Sequence, residues 1–140
     1  MAANGSAPTV SLEYSTDGNN WSPFEIGYDT AVTLANIGDK MYVRATSAGN
    51  TGMSSSFSDY NQFIMMGKIS ASGNVNTLLD QNGNATLTEW CYFNMFQNCT
   101  SLTSAPELPA TTLAPYCYAN MFAGCSNLNY VKVGFDNWNP

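Results

Sequence analysis

The phrase "CYFNMFQNCTSL" begins at Cys91 and returns as "CYANMFAGCSNL" at Cys117, 26 residues later. At that offset Leu87 pairs with Leu113, Cys91 with Cys117, Tyr92 with Tyr118 and Met95 with Met121. Phe96 with Phe122, Cys99 with Cys125 and Leu102 with Leu128 complete the series. Self-similarity at a fixed period of this size is the mark of a stacked array, in which each unit buries its apolar face against its neighbour. These fourteen residues are therefore the expected repeat core.

Within each unit, Tyr92, Met95, Phe96 and Cys99 stand at i, i+3, i+4 and i+7, as do Tyr118, Met121, Phe122 and Cys125. That spacing predicts one buried face of a helix. Thr86 and Glu89 have capping-box spacing, and Pro115 suits a first helical turn. Each unit is thus expected to open a helix near "TLTEW" or "TTLAPY". A short strand should follow, "SLTSA" in one unit and "NYVKV" in the other, with Pro106 and Pro109 starting the return turn.

The first half reads differently. "TVSLEYS" (Thr9–Ser15) alternates apolar and polar, "TDGNN" is a turn, and "WSPFEIG" resumes the extended pattern. Strands are expected over Ala31–Ala35, Lys40–Thr46 and Tyr60–Ser70, with a Ser/Gly-rich loop over Ser47–Asp59. The opening "MAANGSAP" reads as a polar, flexible lead. The expected class is α+β. A small antiparallel β-sandwich-like domain (1–72) precedes a junction (73–84), two helix-strand units (85–133) and a tail (134–140).

The cysteines admit several readings. Two Cys-x7-Cys pairs lack the Cys-x2-Cys spacing of a zinc ribbon, and the chain has no histidine to supplement them. On a helix, Cys91 and Cys99 would rise about 12 Å apart, beyond the roughly 7 Å that a disulfide spans. Bridges between units stay geometrically open. Stacking of small buried thiols in a repeated space is the reading the pattern favours.

Composition narrows the function. Histidine is absent, so no Ser-His-Asp or Cys-His site can form within the chain. Net charge is −6, and only Lys40, Arg44, Lys68 and Lys132 are basic. No cluster could neutralise a run of phosphates, which argues against a nucleic-acid partner. No apolar run approaches the ~18–20 residues of a membrane-spanning helix. Charged residues make up 10% of the chain, well below the roughly 25% that is usual. A neutral polar surface of amides, hydroxyls and aromatic rings suits glycan contact. Trp21, displayed after a turn, Tyr28 beside it, and Trp90 are the candidate ligand-binding residues. Neither a catalytic set nor a cofactor site is expected.

Other signals are weaker. Asp80, Asn82 and Asn84 alternate as in a calcium loop, but Gly83 stands two positions early and Cys91 replaces the closing Glu. An Asn-Gly turn accounts for the stretch. Asn4, Asn20, Asn84 and Asn98 each open an Asn-x-Ser/Thr sequon, as chance provides in so amide-rich a chain. Asp17, Glu25 and Asp29 could pair as glycosidase carboxylates, but their spacing carries no information.

The stretch Leu87–Val133, with Cys, Tyr, Met-Phe, Cys, Leu and "APELPATTLA" in order, closely resembles the leucine-rich repeats of the BspA-like class. Such repeats are common in surface proteins of gut and oral Bacteroidetes and in phage proteins from the same communities. More loosely, "LEYSTDGNNW…IGDKMYVRA…FIMMGKISASGNVNTLL" looks like the β-domain that often precedes them. The resemblance implies non-catalytic recognition of a glycan or protein ligand at a cell or virion surface, outside the cell, without membrane insertion. A carbohydrate-binding module of a secreted polysaccharide-degrading enzyme and a phage tail domain are the alternatives. Arrays of this kind need about three units, so the β-domain is expected to cap the first repeat.

Overall fold

The computed structural model describes residues 1–27 and 30–138. Seven short strands occur in it: β1 (Ala2–Asn4), β2 (Leu12–Ser15), β3 (Ser22–Pro23), β4 (Tyr42–Ala45), β5 (Tyr60–Gln62), β6 (Ile69–Ser70) and β7 (Leu102–Ser104). They form three small sheets: antiparallel β1-β5, antiparallel β3-β2-β4 and parallel β6-β7. A 3-10 turn spans Val75–Leu78, capped by the Asn74 side chain on the Asn76 amide.

The expected α+β class is wrong. No α-helix occurs among the described residues, and the first half makes a ribbon and a three-stranded sheet in place of a sandwich. The opening residues are not a flexible lead either: Met1 and Ala2 are buried, and β1 pairs with β5. Ala31–Ala35 forms no strand, and the expected Tyr60–Ser70 strand breaks between β5 and β6, where Gly67 takes φ +83°.

The backbone of the repeat shows why the helix fails. Residues 88–99 form overlapping turns, with Cys91 N–H donating to Thr88 O, Phe93 to Trp90, Met95 to Tyr92, Gln97 to Asn94 and Cys99 to Phe96. The alternate amides point to the next unit instead. Trp90, Tyr92, Asn94, Phe96 and Asn98 donate to the carbonyls of Pro115, Cys117, Ala119, Met121 and Ala123, at 2.7–3.2 Å. Every fourth residue takes positive φ: Trp90, Asn94 and Asn98, then Tyr116, Asn120 and Gly124. A helix uses every N–H locally and allows no left-handed residue. This ribbon splits its amides between its own turns and the neighbouring coil, so nearly every backbone group is satisfied by stacking.

The ribbon repeats every four residues. Cys91-Tyr92, Met95-Phe96 and Cys99 turn inward, and the equivalent Cys117, Met121 and Cys125 are also buried. Leu87 and Leu102 join that core, while Leu113, Tyr118, Phe122 and Leu128 pack against it half-buried. A second side of the coil stacks in parallel: β6 on β7, Val75 N–H on Glu107 O, Leu108 N–H on Lys132 O and Gly134 N–H on Leu108 O. "SLTSA" does contain a strand, β7, whereas "NYVKV" is reduced to a bridge between Leu108 and Val133.

Three layers result: a first layer from about residue 50 to 80, and the coils 87–112 and 113–138. Rings stack through all three. Phe63, Phe96 and Phe122 lie 5.2 and 5.5 Å apart with planes within 13°. Tyr92, Tyr118 and Phe135 make a second ladder at 5.6 and 6.1 Å.

Gly134 meets the coil below at close quarters. A Cβ there would fall inside van der Waals contact of the Pro109 carbonyl. Gly134→Ala should therefore force the last coil off Leu108 and cost about 1–3 kcal/mol, read as a lower urea midpoint at unchanged m-value. An unchanged midpoint would show that this contact relaxes freely.

Candidate functional site

The outward positions of the ribbon carry the third ring ladder. Trp90 stacks on Tyr116 at 4.2 Å with planes 12° apart. Phe93 meets Trp90 edge-on at 5.2 Å, and Tyr60 of β5 meets Phe93 edge-on at 5.7 Å. These four rings form a continuous shelf. Its inner part is covered, with Phe93 7% exposed, whereas Tyr116 is 57% exposed.

The backbone under the shelf is unusual. Trp90 has φ 62° and Tyr116 φ 55°. The left-handed region suits Gly or Asn, which occupy the other four equivalent positions. For a bulky side chain it costs about 1–2 kcal/mol. Both coils thus place an aromatic residue where Asn or Gly would fit with less strain. Strain of this kind concentrates at binding and switching sites.

Trp90 belongs to the shelf as the residue the sequence singled out. Tyr116 was missed, although it stands at the same 26-residue offset from Trp90 as every core pair. Trp21 is elsewhere: the Arg44 guanidinium lies 3.7 Å from its ring centroid, and Arg44 also pairs with Glu13 at 2.7 Å. One face of Trp21 is therefore occupied. Tyr28 lies outside the described residues, as does Asp29.

Of the carboxylates considered for hydrolysis, Asp17 is engaged in a turn. Asp17 accepts from the backbone and side chain of Asn20, the backbone of Asn19 and the Ser15 hydroxyl. These bonds, the Asn20 amide first, hold its carboxyl well below the usual range. Asp80 likewise closes the Asn-Gly turn, accepting from the amides of Asn82, Gly83 and Asn84.

All four cysteines are reduced and buried. Cys125 donates its thiol to Phe96 O at 3.0 Å, and Cys99 to Phe63 O at 3.4 Å. Burial pushes Cys91 up to about 12, with Cys117 adding to the shift, and Cys99 up to about 11, with Cys125 adding. Cys117 and Cys125 move the same way. Such thiols are inert as nucleophiles. Among the described residues no three His, Cys, Asp or Glu side chains group as metal ligands.

Two surface concavities do not add chemistry. One of about 430 Å³ is lined by Tyr14, Phe24, Glu25 and Val32, and another of about 380 Å³ by Asn50, Leu79, Asp80 and Thr88. Both are shallow, and neither is lined by a ring of the aromatic shelf. No helix of the described residues is long and apolar enough to cross a membrane. Comparison with protein-family models, curated proteins and solved structures gave no match.

Proposed function

We propose that this chain is a non-catalytic recognition module acting outside the cell, and that the Trp90–Tyr116 shelf is its ligand contact. The supporting observation is the pair of aromatic residues held in left-handed backbone at equivalent sites of both coils, the outer one exposed. A flat exposed ring beside amide-bearing positions such as Asn120 suits the apolar face of a sugar ring. The proposed ligand class is accordingly a neutral glycan. The BspA-like resemblance supports a surface role, and a carbohydrate-binding module attached to a polysaccharide-degrading enzyme would use the same contact.

Tyr116→Asn separates binding from folding. Relief of left-handed strain contributes about 1 kcal/mol, offset by about 1 kcal/mol of lost ring stacking. Stability should stay within about 1 kcal/mol of the parent. Binding should weaken about ten- to hundredfold, the loss expected for roughly 1.5–3 kcal/mol of ring contact. A neutral-glycan array followed by tryptophan fluorescence titration reads this, with Trp21→Ala as the variant expected to bind normally. Flat responses across the array, or full affinity in Tyr116→Asn, would sink the reading.

A further inference from the structure

The two edges of the coil stack differ in hydrogen-bonding character. In coil 87–112 the carbonyls of residues 91, 93, 95 and 97 face the first layer. They accept from Met53 N–H, the Ser54 hydroxyl, Phe63 N–H and the Gln62 side-chain amide. The amides of residues 90, 92, 94, 96 and 98 face coil 113–138 and are all paired there. By the same geometry, the amides of Tyr116, Tyr118, Asn120, Phe122 and Gly124 face away from the stack. Among the described residues none of these five donates to a backbone carbonyl.

This edge is donor-only. The carbonyls of 115, 117, 119, 121 and 123 are spent on the coil below, and Tyr118, Asn120 and Phe122 return their carbonyls to local turns with Met121, Ala123 and Cys125. A second copy cannot cover it head-to-head, because donors would face donors. Nor can it do so head-to-tail, because the acceptor edge of each copy is closed by its own first layer. A polyanion would supply acceptors, but the chain carries a net charge of −6 and repels it. What remains is a neutral row of acceptors at two-residue spacing, which is what the carbonyl edge of a turn-ribbon polypeptide presents, as residues 115–123 do to the coil below.

We propose that the open edge at residues 116–124 binds a polypeptide segment of turn-ribbon form by backbone addition, the five amides donating to carbonyls at every second residue of the incoming segment. The existing contact between coils 87–112 and 113–138 is the pattern for it: five such bonds, with rings stacked above rings. The outer ring face of Phe122 continues one ladder into the partner. Above Tyr118 the corresponding place is held by Phe135, itself met edge-on by Trp138 at 4.5 Å. The incoming segment therefore needs an aromatic over Phe122 and a small residue beside Phe135.

The test uses the full chain and a synthetic peptide of the Leu113–Val133 sequence carrying Cys117→Ser, Cys125→Ser and Tyr118→Ala, the last to clear Phe135. Its own carbonyl edge is the complement described above. Amide hydrogen exchange is followed residue by residue by NMR. In the free protein the amides of 116, 118, 120, 122 and 124 should exchange fast, and those of 90, 92, 94, 96 and 98 slowly. Millimolar peptide should slow the first five at least about tenfold, as expected of newly formed backbone bonds, and leave the second five unchanged. Slow exchange of the first five in the free protein would show the edge already closed and overturn the proposal. So would no slowing by peptide, equal slowing by a scrambled peptide, or slowing by polygalacturonate in its place. Tyr116→Asn keeps the amide of residue 116 and should still be protected by peptide, which distinguishes this edge from the ring contact proposed for glycan.

Discussion

Raising the pH above about 9 should unfold this protein, over a window set by its buried thiols. An exposed thiol in the unfolded chain titrates near about 8.5. In the folded chain desolvation, and the neighbouring thiol of the adjacent coil, push Cys91 up to about 12 and Cys99 up to about 11. Below the unfolded value both states hold the thiol protons, and the stability from burial is fully present. Above it the unfolded state releases protons that the folded state keeps, so stability falls as pH rises toward the folded values. For Cys91 alone the slope is about 1.4 kcal/mol per pH unit, which removes about 4 kcal/mol by pH 12. The other three thiols act in the same direction, and the Tyr92 and Tyr118 phenols, also raised by burial, add to it at the alkaline end. A domain holds only about 5–15 kcal/mol in total. Thermal melts under reducing conditions should fall steeply between pH 9 and 12, and Cys91→Ala should flatten the fall. A melting temperature constant across that range would refute the assignment.

A chain beginning at Ala85 should fail to fold cooperatively. Without the first layer, the carbonyls of residues 91, 93, 95 and 97 lose their donors. Each group left both buried and unpaired costs about 1–3 kcal/mol. The same cut removes Met53, Val75, Leu78 and Leu79 from the core and Phe63 from its ring ladder. Calorimetry on Ala85–Pro140 should show no cooperative peak, and a cooperative one would mean that the two coils are self-sufficient. A milder probe of the same boundary is Tyr92→Phe in the full chain. The Tyr92 hydroxyl donates within the core to Val75 O at 3.1 Å and lies 3.2 Å from Asn76 Oδ1, so its removal should cost about 1–2 kcal/mol. Tyr118, one coil further from that layer, has no such partner: among the described residues its hydroxyl is buried and unpaired.

The repeat and its apolar stripe were legible in the sequence; the backbone that carries them was not. Positions 92, 95, 96 and 99 fall on one side of a helix of period 3.6, and equally on one side of a ribbon of period 4. Hydrophobic spacing over eight residues cannot separate the two. The discriminating signal was polar: Asn94, Asn98, Asn120 and Gly124 recur at four-residue spacing, and these are the residue types that accept positive φ. Trp90 and Tyr116 hid the third member of each series, because propensity argues against an aromatic residue there. The display of Trp21 was judged from its place after a turn. It could not be weighed against Arg44, which is 23 residues away in the chain and reaches the ring through the pairing of β2 with both β3, next to Trp21, and β4.

The division of amides into local and inter-coil donors gives the ribbon something like a reading frame. Inserting one residue between 90 and 98 would exchange the two classes, turning every donor meant for the next coil back on its own turn. Inserting two would restore that parity but move Asn and Gly off the left-handed positions and rotate the inward pairs outward. Only a step of four keeps both, and only a full 26 also keeps the rings of successive coils in register. Length variation in a chain built this way is therefore quantised: it comes as whole coils, or is confined to the turns between the ribbon and the parallel side.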